Sequence, residues 1–249
     1  MKVLGIDSSG MVATVAVVED TQMLAEYTIN YKKTHSQTLL PMLDEVAKMI
    51  ELDLNTIDAI AVAAGPGSFT GLRIGSATAK GLGLALKKPL VSVPTLEGIA
   101  YNFCGSEKVI CPMMDARRSQ VYTGIYEFQE NTLKVMEDQM AVPVEEVLEK
   151  LNQTGREVIL AGDGVPVYLE LIKKNLKVPY LLAPAHLNRQ RAGAVAVLGI
   201  QYAKEGKLES AMEHQPDYLR LSQAEKRTRP ETGAKRRCLN KMAGWRSAK

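Results

Sequence analysis

Two aspartates that follow short apolar stretches, Asp7 and Asp115, are the residues best suited to bind a charged ligand. Each begins a polar turn, and a glycine-rich turn follows the apolar residues 57–64. A carboxylate at a strand end can hold a hydrated magnesium ion on a nucleotide, and the amides of a glycine turn can bind its phosphates. The candidate nucleotide- or phosphate-binding residues are Asp7, Ser8, Ser9, Gly65, Gly67, Asp115, Arg117 and Arg118.

The same residues also admit a purely structural interpretation. Asp7 would cap a tight turn through its carboxylate, and Asp115 would pair with Arg117 or Arg118. Each signal is short, so the residue types alone do not decide between ligand binding and turn structure. We expect the chain to have no cofactor of its own, while ATP or ADP with magnesium, at a cleft or at a subunit interface, stays an open alternative.

Sequence signals for a metal centre or a catalytic nucleophile are missing. The three histidines, His35, His186 and His214, form no HxxxH or HExxH pattern, and the three cysteines form no CxxC pattern. No GxSxG sequence occurs either. We therefore predict no metal site, no catalytic residue and cysteines that stay reduced.

The elements that must position these residues are organised around residues 65–75, GPGSFTGLRIG. The apolar run 57–64 predicts a buried strand, and the GPG that ends it favours a tight turn. Ser68 or Thr70 would cap the helix that follows, over about residues 71–86. Strand, turn and helix start would together aim amide groups and the positive end of a helix dipole at one point.

The predicted helix carries small residues at every fourth position. One row is Gly71, Gly75, Ala79 and Gly83, and an adjacent row is Ala77, Gly81 and Ala85. Glycine in a helix interior costs about 1 kcal/mol relative to alanine, so several of them need a structural reason. A bare row lets another element approach closely, either the chain's own sheet or a helix of a second subunit. The residues alone leave these two explanations equally open.

The order of predicted elements repeats once along the chain. Residues 1–98 indicate the order βββαβαβα, and residues 99–222 indicate the same order again. A duplicated unit of this kind, with mixed sheets flanked by helices, is the architecture of the two-lobed actin-like (ASKHA) superfamily with its ribonuclease H-like lobes. We therefore predict an α/β protein with lobes 1–98 and 99–222, whose last helix, about 189–204, can pack back on the first lobe.

The net charge of +3 is unevenly distributed. Residues 223–249 carry nine Lys or Arg against two Glu, a balance of +7, so residues 1–222 sum to −4. An acidic body argues against a broad nucleic-acid-binding face, and the basic tail is predicted to be disordered. No run of about eighteen apolar residues occurs, which predicts a cytoplasmic protein without contact to a membrane.

Several motifs, in order along almost the whole of residues 1–222, resemble those of one protein family. They are IDSS from Ile6, His35-Ser36, GPGSFTGLRIG from Gly65, AKGL from Ala79, TLE from Thr95, DARR from Asp115 with Val121-Tyr122, and Tyr218-Leu219-Arg220. With them the sequence resembles the TsaB (YeaZ) family, and GPGSFTGLRIG is the most specific motif. Beyond about Glu225 no match is found, so the resemblance says nothing about the basic tail.

The resemblance implies the actin-like fold and a place in the bacterial machinery that forms threonylcarbamoyladenosine beside the anticodon of tRNAs reading codons that begin with A. In that machinery the transferase TsaD carries a metal-binding HxxxH, TsaE is an ATPase and TsaC supplies threonylcarbamoyl-adenylate. TsaB resembles TsaD but lacks those histidines, as does this chain. The implied role is a non-catalytic dimerisation or scaffold subunit that binds TsaD, TsaE or a second copy of itself and reaches tRNA only through the complex.

The resemblance also implies where partners bind. TsaB-like chains pair with TsaD, or with themselves, through two helices from each partner, which correspond to residues 35–50 and 70–86. The small-residue row would then be bare so that a partner helix can approach it. The implied interface residues are His35, Leu39, Leu43, Gly71, Leu72, Ile74, Gly75, Thr78, Ala79 and Leu82.

Two other functions stay as alternatives. A stand-alone ATP-dependent small-molecule kinase or ATPase of the same superfold would show magnesium-dependent turnover that the Asp7→Asn variant loses. A glycoprotease-like peptidase would need the metal ligands or the nucleophile that the sequence lacks.

Overall fold

The chain forms two consecutive units with the same order of elements, and the computed structural model describes residues 1–32 and 34–219. The first unit comprises β1 (Lys2–Asp7), β2 (Val12–Glu19), β3 (Gln22–Asn30), α1 (His35–Met49), β4 (Ala59–Gly65), α2 (Phe69–Leu86), β5 (Leu90–Pro94) and α3 (Thr95–Tyr101). The second comprises β6 (Val109–Asp115), β7 (Gln120–Gln129), β8 (Thr132–Pro143), α4 (Val144–Thr154), β9 (Val158–Ala161), α5 (Gly164–Val167), α6 (Leu169–Asn175), β10 (Tyr180–Leu182) and α7 (Ala192–Lys204). The predicted double βββαβαβα order is confirmed, although one predicted helix is divided into α5 and α6.

Each unit folds around one five-stranded mixed sheet. The strand orders are β3-β2-β1-β4-β5 and β10-β9-β6-β7-β8, so the second sheet repeats the arrangement of the first. In each unit the first strand pairs antiparallel with the second and parallel with the fourth. Two mixed sheets with helices on their faces confirm the predicted two-lobed, actin-like fold class.

Helices cover both faces of the first sheet. On one face lie α1 and α2, over an apolar core that includes Leu4 and Ile6. On the other face lies α7, which approaches the strands closely at two glycines. A Cβ atom at Gly5 would lie 2.3 Å from the backbone oxygen of Ala192, and one at Gly199 would lie 2.4 Å from the Cβ of Ala61. The last helix of the second unit therefore packs on the first sheet.

Helix α3 belongs to the first unit but packs on the sheet of the second. Its residues Leu96 and Ile99 pack with Ile110 and Tyr126 of the second sheet. The opposite face of that sheet is covered by α4 and α6, whose apolar side chains join Val109 in a separate core. The boundary predicted between residues 98 and 99 thus falls inside a helix that belongs to the core of the second lobe. The exchange of α3 and α7 ties the two lobes together.

After α7 the chain returns to the first lobe as an extended segment, residues 205–218, which we call the strap. Glu209 and Leu90 exchange two backbone hydrogen bonds of 2.9 Å each, which places the strap beside β5. Further along, the amide of Asp217 donates to the backbone oxygen of Ala64 at the end of β4 (2.7 Å). The strap lacks helical or strand periodicity, so the sequence pattern does not predict it.

Within residues 1–32 and 34–219, no helix is both long enough and apolar enough to span a bilayer. The longest, α2, has 18 residues and includes Arg73 and Lys80. The basic tail 223–249 lies outside the described residues, so its predicted disorder stays a prediction, as does the cytoplasmic location.

Candidate functional site

A cavity of about 300 Å³ lies between the two lobes. From the first lobe it is lined by the turn after β1 and by the glycine turn after β4, including Ser9, Gly67 and Ser68. From the second lobe it is lined by the turn after β6, including Asp115 and Arg117. The structure therefore brings together the turns that the sequence singled out, and the position of each side chain decides what this cavity can bind.

Asp7 is sealed inside the first lobe. Its side chain is 1% exposed, and its Oδ1 accepts a hydrogen bond from the amide of Ser9 (2.8 Å). Burial raises the pKa of Asp7 to about 6, while the hydrogen bonds from Ser9 oppose that rise. The next residue, Ser8, is also buried and donates through Oγ to the backbone oxygen of Gly71 (2.9 Å). The structural interpretation of Asp7 as the cap of a tight turn is thus the correct one, and a hydrated magnesium ion does not fit there.

The glycine turn, residues 65–67, packs directly against the backbone of Ser9 and Asp217. A Cβ atom at Gly67 would lie 2.3 Å from the backbone oxygen of Ser9, and one at Gly65 would lie 2.2 Å from the backbone oxygen of Asp217. The amide of Ser68 donates to the oxygen of Ser9 (2.6 Å). The prediction that Ser9, Gly65 and Gly67 bind phosphate is therefore not supported, because the glycines serve close packing and the amide at the turn already has an acceptor.

The second side of the cavity is more open. Asp115 accepts hydrogen bonds from the amide of Arg117 (2.9 Å) and from the hydroxyl of Tyr168 (3.0 Å), and its own amide donates to Asp163 (3.1 Å). Burial raises the pKa of the Asp163 carboxyl. The predicted pairing of Asp115 with an arginine is present as a 3.7 Å contact to Arg117. Asp163 and Tyr168 are not among the residues predicted from the sequence, although Asp163 follows β9 as the glycine turn follows β4.

Arg117 and Arg118 lie at the tip of the β6–β7 turn. Both have positive φ angles, 65° and 56°, as does Ser119 (57°). The Ala116 amide donates to the oxygen of Gln120 (3.0 Å) and closes the turn. Both arginine side chains are exposed. Of the charged residues predicted to bind a ligand, Arg117 and the half-buried Asp115 line the cavity, while Arg118 is exposed next to them in the same turn.

The buried carboxyl of Asp7 leads to a pH prediction. Its pKa in the folded protein, about 6, lies above the ordinary value of 3.8, so the folded state keeps this proton longer than the unfolded state. The contribution of Asp7 to stability therefore falls as pH rises from about 4 to about 6. We expect the free energy of unfolding of the Asp7→Asn variant to increase, relative to that of the wild type, by up to about 3 kcal/mol over that pH range.

Urea unfolding of both proteins at steps between pH 4 and pH 8 measures this difference. The asparagine oxygen can still accept the amide hydrogen bond of Ser9, so the variant retains the turn. A difference in unfolding free energy that stays constant between pH 4 and pH 6 would contradict the assignment.

The inner row of α2 faces the chain's own sheet, so the prediction that it lies open for a partner is wrong. A Cβ atom at Gly71 would lie 2.1 Å from the backbone oxygen of Ser8, and one at Gly75 would lie 2.6 Å from the Ser8 hydroxyl. Ala79 and Leu72 are also fully buried, with Ala79 in the core above β1 and β4. These four predicted interface residues serve packing inside the subunit.

The remaining predicted interface residues are buried or half-buried between the helices. Leu39 and Leu43 belong to the core under α1, where no partner can reach them. Ile74 and Leu82 are half-buried against that core, and Thr78 is half-buried beside them. His35 is also half-buried; its Nε2 donates to the backbone oxygen of Gly10 (2.8 Å), which ties the start of α1 to the turn after β1.

The exposed side of α2 carries the second row of small residues. Ala77, Gly81 and Ala85 are exposed, and a Cβ atom at Gly81 would meet nothing within 4 Å. The sequence pattern predicts a position adjacent to the inner row, but two residues correspond to about 200° around a helix, so this row lies on the opposite side. Leu84 extends the row and is 55% exposed. We call the side formed by Arg73, Ala77, Gly81, Leu84 and Ala85 the outer face of α2.

The comparisons with known proteins agree with this fold. The family model for TsaD, tRNA N6-adenosine threonylcarbamoyltransferase, matches residues 22–228. The tRNA threonylcarbamoyladenosine biosynthesis protein TsaB of Bacillus subtilis is 32% identical over 225 residues, 90% of this chain and 96% of that protein. TsaB of Escherichia coli is 31% identical, over 91% of this chain and 98% of that protein.

A solved structure extends the comparison to three dimensions. YeaZ from Pseudomonas aeruginosa is 26% identical and superposes with a TM-score of 0.77, covering 88% of this chain and 99% of its own. The similarity therefore spans both lobes rather than a single motif. The chain belongs to the TsaB (YeaZ) family.

Proposed function

We propose that this chain acts in the biosynthesis of threonylcarbamoyladenosine on tRNA as a non-catalytic dimerisation or scaffold subunit. It binds the transferase TsaD, works together with the ATPase TsaE, and pairs with a second copy of itself when TsaD is absent. The names of its TsaB relatives support the pathway. The burial of Asp7 supports a non-catalytic role, because this carboxylate cannot contact a ligand bound in the cavity.

The observation that carries the scaffold role is the exposed small-residue row on the outer face of α2. Gly81 leaves the backbone uncovered, and an uncovered helix backbone allows a second helix to pack at short interaxial distance. Beside it, α1 exposes Leu40 and Met49, which add apolar area. Glycine at a solvated helix position lowers stability by about 1 kcal/mol, so its presence fits a surface that a partner covers.

The stand-alone ATPase is the second candidate, and the cavity between the lobes is the observation that favours it. Arg117, which lines the cavity, and its exposed neighbour Arg118 are suited to contact an ATP or ADP phosphate. The residues that line the cavity from the first lobe include no carboxylate that could hold magnesium, so in this proposal a nucleotide contact is regulatory at most. The residues that line the cavity include no histidine and no cysteine, so a peptidase would lack both a metal-binding HxxxH and a histidine base to activate a nucleophile there.

One reconstitution separates the two candidates. Purified chain, TsaD and TsaE are incubated with unmodified tRNA, ATP and threonylcarbamoyl-adenylate, and each protein is omitted in turn. We expect the chain alone to hydrolyse ATP at the background rate, and its omission to lower modified nucleoside at least about tenfold. The scaffold role is refuted if modification proceeds equally well without the chain, and turnover by the chain alone would establish the ATPase.

A further inference from the structure

The basic tail, residues 223–249, is the most strongly charged segment of the chain, and the function above does not use it. It carries nine Lys or Arg against two Glu, whereas residues 1–222 sum to −4. The densest cluster of its cations is the run Lys235-Arg236-Arg237, and the tail lacks the apolar periodicity of an amphipathic helix. A segment of this composition binds a polyanion through its charge and offers no apolar face to a bilayer.

The end of the strap fixes the place from which the tail departs. The ring of Tyr218 contacts Phe69 with centroids 4.7 Å apart, and the guanidinium of Arg73 lies 4.0 Å from the centroid of the same ring. Phe69 directly follows Ser68, which lines the cavity between the lobes. From Tyr218 to the first residue of the tail, Gln223, the chain can extend over about 18 Å at most. The tail therefore begins within reach of that cavity.

Two further cations lie on the opposite side of the cavity. Arg117 lines it from the second lobe, and Arg118 is exposed next to Arg117 in the same turn. The Arg117 side chain is 87% exposed, and its contact with Asp115 is 3.7 Å long. An exposed ion pair of this length contributes little, so the guanidinium stays available to a phosphate. The tail and the two arginines thus bring positive charge to both sides of one opening.

RNA is the polyanion that this arrangement fits best. Lysines and arginines that neutralise its phosphates release bound counterions, which is the main source of affinity for nucleic acids. Arginine binds phosphate through a planar pair of donors and stacks on bases as well. The single tryptophan of the chain, Trp245, lies in the tail and offers a ring on which a base can stack. The names of the TsaB relatives refer to tRNA, so tRNA is the RNA that the proposed function supplies.

We propose that the basic tail, together with Arg117 and Arg118, is an arm that binds the phosphate backbone of tRNA directly. The choice of tRNA among polyanions rests on the proposed function, whereas the charge and the starting point of the arm do not. The direct contact goes beyond the indirect one that the resemblance implies. The arm contributes affinity without base recognition, because phosphate contacts carry no sequence information. The acidic body confines RNA to the arm, since it repels phosphates elsewhere.

Binding of the full chain to an unmodified tRNA transcript, without TsaD or TsaE, tests the arm. Because Trp245 is the single tryptophan, its fluorescence reports on the tail, and we expect stacked bases to quench it. About six phosphate contacts predict an affinity that falls about 1000-fold between about 50 mM and about 200 mM salt. Unchanged Trp245 fluorescence on addition of tRNA, or an affinity that does not depend on salt, would overturn the proposal.

Charge-neutralising variants locate the contact. The K235Q/R236Q/R237Q variant should reduce the slope of log affinity against log salt by about 3 and raise the dissociation constant about 100-fold at about 100 mM salt. The matched control, K48Q/K87Q/K204Q, removes the same charge at the C-terminal ends of α1, α2 and α7 and should keep the wild-type slope. A wild-type slope in the tail variant, or equal reductions in the tail variant and the control, would overturn the arm.

A second double variant tests the two arginines of the β6–β7 turn. R117Q/R118Q should reduce the slope by about 2, because each lost phosphate contact lowers it by about 1. A wild-type slope in this variant would refute their part in the arm. Since both arginines lie in a turn, the fold of the sheets should be unaffected, and urea unfolding checks this.

Two other occupants of the tail are distinguishable in the same measurements. Trp245 fluorescence that responds to vesicles of anionic phosphatidylserine but not to tRNA would assign the tail to a membrane and overturn the proposal. Fluorescence of the free chain that shifts with salt, with no response to tRNA, would show that the tail binds the acidic body and would overturn it too. TsaD and TsaE are absent here, so a failed arm leaves the scaffold role to the reconstitution, and a failed reconstitution leaves a measured tRNA contact intact.

Discussion

Replacing Gly81 with arginine is expected to weaken pairing with TsaD and with a second copy by about 100-fold while leaving the fold intact. A side chain at Gly81 meets nothing within its own subunit, so the substitution adds bulk and charge only to the outer face of α2. Inside a close helix contact, both the bulk and the buried charge are unfavourable. Arginine is the better helix former by about 0.8 kcal/mol, so at protein concentrations below the dissociation constant of the self-pair, where pairing adds no stability, the melting temperature should rise slightly.

Gly81→Arg separates binding from folding, because it is expected to weaken pairing while it raises the stability of the monomer. Sedimentation gives the dissociation constant of the self-pair, and titration calorimetry gives that of the TsaD pair. Gly81→Ala is the matched control, with the same gain in helix propensity but little bulk. Glu149→Arg on the exposed side of α4 controls for added positive charge far from α2. A Gly81→Arg protein that pairs with wild-type affinity would show that partners bind elsewhere.

Gly71→Ala is expected to destabilise the chain by about 3 kcal/mol or more. The added Cβ would lie 2.1 Å from the backbone oxygen of Ser8, and neither backbone can move without disturbing the other. Ser8 directly follows Asp7, whose carboxylate caps the turn after β1. The Ser8 hydroxyl donates to the backbone oxygen of Gly71. A shift of α2 would therefore also open the turn after β1. Such a loss is a large part of the total stability of about 5–15 kcal/mol for a domain.

The same substitution at Gly81 gives the matched comparison, since both glycines lie in α2 but on opposite sides. Urea unfolding should show Gly71→Ala far below wild type and Gly81→Ala about 1 kcal/mol above it. A stable Gly71→Ala protein would mean that α2 does not rest on the turn after β1. Loss of pairing after a bulky substitution at Gly75 is not evidence for an interface, because that residue faces Ser8 inside the subunit.

Local sequence signals were sufficient to predict the helices and strands and their order along the chain. Of the two caps predicted for α2, Ser68 or Thr70, the structure has Ser68, whose Oγ accepts the amide of Gly71 at 3.3 Å. The helix begins at Phe69 rather than Gly71, a small difference at an end where few residues decide the boundary. Apolar periodicity and turn glycines are local signals that extend over a few residues, so both can be recognised directly in the sequence. For the same reason the two-lobed, actin-like class follows from the repeated order of elements.

The sequence by itself thus determined the strands, the helices, the repeat and the two small-residue rows of α2. The tertiary structure alone decided which row is covered, because the helical period fixes the angle between rows but not which of them turns toward the sheet. It also decided that Asp7 is sealed and that Ser76 meets His214, 138 residues later in the chain. Contacts between such distant residues depend on how whole elements pack, and no local pattern records that packing.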